Sequence, residues 1–360
     1  MRSHAVFHRS VLHRHSPVAS PSRRHRRRLR RFRPAMTAWS IVCLASAVSA
    51  VQGAEPTGVE ELRINQLQFI GTHNSYHVRA KPSKFRSLNY SHAPLDVQLD
   101  RGVRSVELDL HDRDGVFEVF HVVKIDEGTT CRRLSDALET VRKWSDTHPR
   151  HLPISVLFEL KKDGTGLDPR IRPFDAASLD RLDQLLRSVF PAVRCITPDD
   201  VRGTAATLRE AVEKTGWPKL SASRGKIFFI LHDEGKLRDY YTHGHPSLRG
   251  RAMFVRSDET RDDAATLVLD NPRNPDIPRL VSAGYLIRTR ADADLHADRR
   301  SNASRLGAAL ASGAQIVSTD FPSGEPQAGT GYLVEFSKSA PARVNPVNGP
   351  ESLRGQILAQ

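Results

Sequence analysis

Cysteine is scarce in this chain, with three among 360 residues. So few exclude a disulfide-stapled scaffold and argue against a zinc site built on clustered thiolates. Asp, Glu and Lys are missing altogether from residues 1–50, which hold eleven arginines. Removing those eleven charges from the formal net charge of +13 leaves +2 for the rest of the chain. The basicity is therefore confined to the N-terminus. No basic stripe with interleaved aromatics runs through the remainder, so nucleic-acid binding loses its main support. Long apolar runs are also missing. The run at 35–50 falls short of the roughly 20 residues a spanning helix needs, and no second one follows it. After Glu55 there is no low-complexity linker, no internal repeat and no glycine-rich dinucleotide loop.

What stands at the N-terminus reads as a secretory signal. "RRHRRRLRRFRP" is a basic lead, "AMTAWSIVCLASAVSA" an apolar core, and Val48 to Ala50 a small-residue cleavage site. The expectation is export with cleavage near Ala50, leaving no transmembrane span in the mature chain. Cys43 is lost with that segment. Cys131 and Cys195 remain, either as one disulfide or as two buried thiols. The organisation read from the sequence is 1–50 basic lead and signal peptide, 51–63 N-terminal strap, 64–335 barrel, and 336–360 a Pro-rich C-terminal tail.

Beyond the signal, short apolar runs alternate with amphipathic ones. "LQFIG" (67–71), "VRSVELDLH" (103–111), "PISVLFELK" (153–161), "GKIFFILHD" (225–233), "AMFV" (252–255), "YLIRTRAD" (285–292) and "AQIVSTDFP" (314–322) read as strands. "FEVFHV" (117–122) reads as a short strand or arm. Residues 133–149 carry Leu134, Leu138, Val141 and Trp144 at helical spacing. Residues 174–190 carry Leu179, Leu182, Leu185, Leu186 and Val189 on one side. Strands apolar on both faces and separated by helices belong to a parallel sheet covered on both sides. Seven or eight of them over this length predict a single-domain α/β (β/α)8 TIM-type barrel. A doubly wound open sheet is the alternative.

In such a barrel the chemistry gathers at the C-terminal ends of the strands. "FIGTHNSYH" places His73, Asn74 and His77 just past the first strand. Glu107 and Asp109 share one face of the second by their two-residue separation. His121 follows on the arm. Glu159 and Lys161 repeat the two-residue spacing, as do Arg288 and Arg290, and Asp320 ends the last strand. Three carboxylates and an Asn form the oxygen-rich set that Ca2+ or Mg2+ takes, with Ca2+ accepting the looser geometry. Two histidines are free for proton transfer near neutral pH. Lys161 and an arginine suit an anion such as phosphate.

"GTHNSYH", "RSVELDLH", "FHV", "PISVLFELK", "TPDDVRGTAATLREAV", "GWPKL" and "STDFP" together resemble the calcium-dependent, phosphoinositide-specific phospholipase C-like family, from about Ile64 to Pro322. That resemblance implies a phosphodiesterase barrel acting on phosphatidylinositol-type lipids at a membrane surface, peripherally, with Ca2+ as cofactor. It implies that His73 is the general base and His121 the general acid. It assigns Asn74, Glu107, Asp109 and Glu159 to the metal, and Lys161 and Arg288 to the phosphate or head group. His77 and Asp320 match recurring positions without an assigned role. The rivals are a glycerophosphodiesterase on the same barrel, told apart by its products, and a non-catalytic binding module, which would need neither histidine. Tyr90, Tyr240 and Tyr241 are read as either interfacial aromatics of the rim or ordinary loop tyrosines.

Overall fold

Eight short apolar strands lie parallel and in chain order around one axis in the computed structural model, which describes residues 58–79, 86–292 and 299–359. They are β1 Leu67–Thr72, β2 Ser105–Arg113, β3 Ile154–Leu160, β4 Ile227–Leu231, β5 Met253–Val255, β6 Thr266–Val268, β7 Leu286–Arg290 and β8 Ile316–Thr319. β8 returns to β1 through the register Phe69↔Ile316 to Thr72↔Thr319. β5 and β6 meet at a parallel bridge between Arg256 and Thr266, which nearly closes a TIM-type barrel. β4 and β5 are buried at every residue, as a sheet covered on both faces requires.

The helices cover that sheet with the expected stripes. Leu134–Thr147 buries Leu134, Leu138, Val141 and Trp144. Ala176–Val189 buries Leu179, Leu182 and Leu186. Its first turn is capped by Asp175, whose carboxylate accepts from Ser178 N at 2.8 Å. The seam between β1 and β2 is tight, because a Cβ on Gly71 would lie 2.8 Å from Ser105 Cβ. Glycine there lets the two backbones approach. Below this point Ala342–Val344 pairs antiparallel with β1, Leu67 facing Val344, and Ile357–Leu358 pairs with it in turn.

Three features differ from the sequence reading. β6 has only three residues, too few to show a period, and was not singled out. Residues 236–242, expected as part of a rim loop, form a helix, Lys236–Thr242. Tyr90 and Tyr241 are not interfacial, since both are buried. The Tyr241 hydroxyl donates to Asp183 and accepts from Met253 N, and Tyr90 accepts from Asn74 Nδ2 at 3.0 Å. A phenol with an internal partner has no need of water. Cys131 and Cys195 are separate thiols. The expected signal segment lies outside the described residues.

Candidate active site

The turn after β1 is held from both sides. His73 N donates to Thr319 O of β8 at 3.0 Å, and Ser75 N donates to Glu107 O of β2 at 2.9 Å. Ser75 Oγ accepts from Glu107 N at 2.7 Å. Asn74 sits at φ 46°, a left-handed conformation that asparagine tolerates better than most residues. Its Nδ2 is spent on Tyr90, while its Oδ1 is buried without a hydrogen-bond partner.

Beside this turn, the barrel register sets Asp109 directly opposite Glu159 across β2 and β3. Glu107, Asp109 and Glu159 bring one carboxylate oxygen each within 4.8 Å of one another. Asp109 is buried and neither of its oxygens accepts a hydrogen bond. Burial, and then the charge of Glu159, push its carboxyl up to about 7. Lys161 Nζ lies 3.2 Å from both Asp109 Oδ2 and Glu159 Oε1. Arg288 Nη2 lies 2.6 Å from Glu107 Oε2, and its other branch is held by Asp270. An unsatisfied buried carboxylate is costly unless an external partner completes it. Hard oxygen donors, with Asp109 Oδ1 and the Asn74 amide oxygen open, fit a calcium ion.

Two histidines flank the cluster, each backed by an aspartate. His73 Nδ1 lies 2.8 Å from Asp320 Oδ1, and its Nε2 lies 3.7 Å from Glu107 Oε1. Enclosure in the mouth, and then Arg290, hold the imidazole well below its usual range against the opposing pull of Glu107. Arg290 in turn reaches Asp320 at 3.1 Å. His121 lies two residues past the arm Val116–Val119, with Nδ1 2.9 Å from Asp126 Oδ2. Its side chain is 23 % exposed and that of His73 22 %, so both rings open onto the mouth.

All eight residues to which the resemblance gives a role thus stand at this end of the barrel. The carboxylates, Lys161 and Arg288 are joined by direct contacts. Asn74 and the two histidines adjoin the set through the turn, Glu107 and Asp126. Several partners went unnoticed. Asp126 lies in the unpatterned "VVKIDEG", and nothing in that stretch signals its bond to His121. Asp270 follows β6, the strand too short to see. His232 was visible, since it ends β4 in "LHD". It is half-buried with Nδ1 enclosed and unpaired, and desolvation followed by Arg288 lowers it to about 4.

The model of a family described as "Phosphoinositide phospholipase C, Ca2+-dependent" matches residues 62–116 and 112–346. Among solved structures, one crystal form of a calcium-dependent phosphoinositol-specific phospholipase C from Pseudomonas sp. is 18 % identical. The match covers 74 % of this chain and 92 % of that one at a TM-score of 0.53. A Ca2+-dependent phosphatidylinositol-specific phospholipase C from Streptomyces antibioticus is 20 % identical, covering 72 % and 94 % at a TM-score of 0.53. At these identities the likeness speaks for the fold. Comparison with the curated proteins finds no match.

Proposed function

The chain belongs to the Ca2+-dependent phosphoinositide phospholipase C family, and we propose that it cleaves phosphatidylinositol-type lipids to diacylglycerol and inositol phosphate with His73 as base and His121 as acid. The carrying observation is a pair of aspartate-backed histidines at the barrel mouth that also holds the carboxylate cluster of Glu107, Asp109 and Glu159.

Asn74, Glu107, Asp109 and Glu159 would hold the calcium. When bound, the ion supplies positive charge that acidifies the attacking hydroxyl and stabilises charge on the phosphoryl oxygens. Asp320 accepts the Nδ1 proton of His73, which leaves the Nε2 lone pair to take a proton. Enclosure in the mouth, and then Arg290, favour the neutral form of His73 before the reaction, as a base requires. The inositol 2-hydroxyl gives its proton to His73 and attacks the adjacent phosphorus. The bond to the glycerol oxygen breaks as His121 delivers a proton to it, leaving diacylglycerol and a cyclic inositol phosphate that water can open to inositol phosphate. Holding hydroxyl and phosphate in one molecule makes the attack intramolecular. Lys161, with its ammonium at the edge of the cluster, contacts the phosphate. Arg288 contributes its charge to the same site from behind Glu107.

Access to lipid is peripheral on this reading. No helix among the described residues is long and apolar enough to cross a membrane. Ile125, 68 % exposed, and Leu167, 47 % exposed, stand on loops at the mouth. Export by the N-terminal signal would bring the enzyme to such a surface. The test is phosphatidylinositol vesicles with calcium or chelator, with products resolved by phosphorus NMR. Calcium-dependent inositol phosphate and diacylglycerol are expected. Glycerol phosphate, or no cleavage by the folded protein, would refute the reading.

A further inference from the structure

His77 lies in the turn that carries the base, yet the reaction as drawn leaves it idle. It is fully buried, with its ring centroid 4.4 Å from that of Tyr90. Its Nε2 lies 2.9 Å from Asp126 Oδ2, the same oxygen that takes His121 Nδ1 at 2.9 Å. An ionised carboxylate only accepts, so each ring supplies an N–H to that oxygen. His77 Nδ1 is buried with no partner. A proton there would leave a buried donor, and a charge, with nothing to receive it. The geometry therefore fits a neutral His77 protonated on Nε2. Burial opposes ionisation of Asp126, and the bonds from His121 and His77 outweigh it, holding the carboxyl below its usual range.

The main chain makes the same link. His77 N donates to Asn74 O at 2.8 Å, His77 bridges Thr129, and Thr130 N donates to Tyr76 O at 2.8 Å. The turn after β1 and the loop after the arm are thus one fastened unit. With Oδ2 fixed by His77, Asp126 has one place to hold the imidazole of His121.

We propose that His77 is a positioning residue for the general acid, acting through Asp126 to orient His121. The turn that presents the base then also sets the group at the other end of the reaction. This rests on the acid role proposed for His121.

Leaving-group dependence tests it, using the calcium-loaded protein. Phosphatidylinositol expels a poor leaving group that needs a proton. A 4-nitrophenyl phosphodiester of myo-inositol expels a good one that needs little. His77→Phe is expected to lower kcat on phosphatidylinositol by about tenfold or more with little change in KM. Its loss on the nitrophenyl ester should be several-fold smaller. His77→Gln, whose amide can donate to Asp126, should recover most of the rate. If His77→Phe does not fold, Asp126→Asn should show the same selective loss. Equal losses on both substrates, or no loss on phosphatidylinositol, overturn the proposal. His121→Ala is the reference. Selectivity there but not in the His77 and Asp126 variants overturns this inference alone, whereas its absence in His121→Ala removes the acid assignment and this inference with it.

Discussion

The barrel mouth holds two histidines, each against an aspartate, and the two pairs differ in what surrounds them. His73 and Asp320 lie 2.8 Å apart, His121 and Asp126 2.9 Å. Around the first pair stands Arg290, which contacts Asp320 and, after burial itself, does most to hold His73 down. Around the second stands a buried histidine that shares the aspartate. A cation beside the first ring disfavours its protonated form. The proposed base and the proposed acid thus share one constellation with different neighbours.

Removing His73 should do the most damage. His73→Ala is expected to slow phosphatidylinositol cleavage by about 10³-fold, read as initial rates at saturating calcium. A loss as small as that of a surface variant would dissolve the distinction between the pairs. Asp320→Asn comes next, because it removes the charge that orients the base. It should cost at least about tenfold in kcat, with calcium affinity kept.

The cluster between the pairs gives a third contrast. With the Asp109 carboxyl held up to about 7, protons compete with the cation as pH falls through that value. Calcium titrations by calorimetry should show affinity falling from pH 8 to pH 6. Asp109→Asn should weaken binding by about tenfold or more and flatten that pH dependence. The same group bears on stability. Its folded pKa lies above the unfolded carboxylate value, so the metal-free protein should lose stability as pH rises from about 4 to about 7. Melting temperatures without calcium would show it. The smallest effect expected is that of Arg290→Met. Loss of that charge lets the His73 pKa rise, so the acidic limb of kcat/KM moves to higher pH, by about one unit.

Much of this was legible in the sequence. The i, i+2 spacings of Glu107 with Asp109 and of Glu159 with Lys161 fixed a shared face, and a parallel register then laid Asp109 opposite Glu159. Helices with full apolar stripes, such as Leu134–Thr147, were plain from their period. The three residues of Thr266–Val268 carry too little pattern to declare themselves, and β6 took Asp270 out of sight with it, whereas the equally short Met253–Val255 was legible in the apolar run 252–255. The second-layer partners were hidden for a different reason. Asp126 reaches His77 across 49 residues, and only the folded chain brings them together. For Tyr90 and Tyr241 the sequence leaves an interfacial and an ordinary role open, and the folded chain decides against the first because their hydroxyls find partners inside.

The most direct measurement compares His73→Ala with His121→Ala on phosphatidylinositol and on the nitrophenyl ester of myo-inositol phosphate, each with calcium. The account predicts that His73→Ala loses both reactions, since either substrate needs its hydroxyl deprotonated, and that His121→Ala loses the first far more than the second. Equal losses in the two variants on both substrates, or the reverse order, would contradict it.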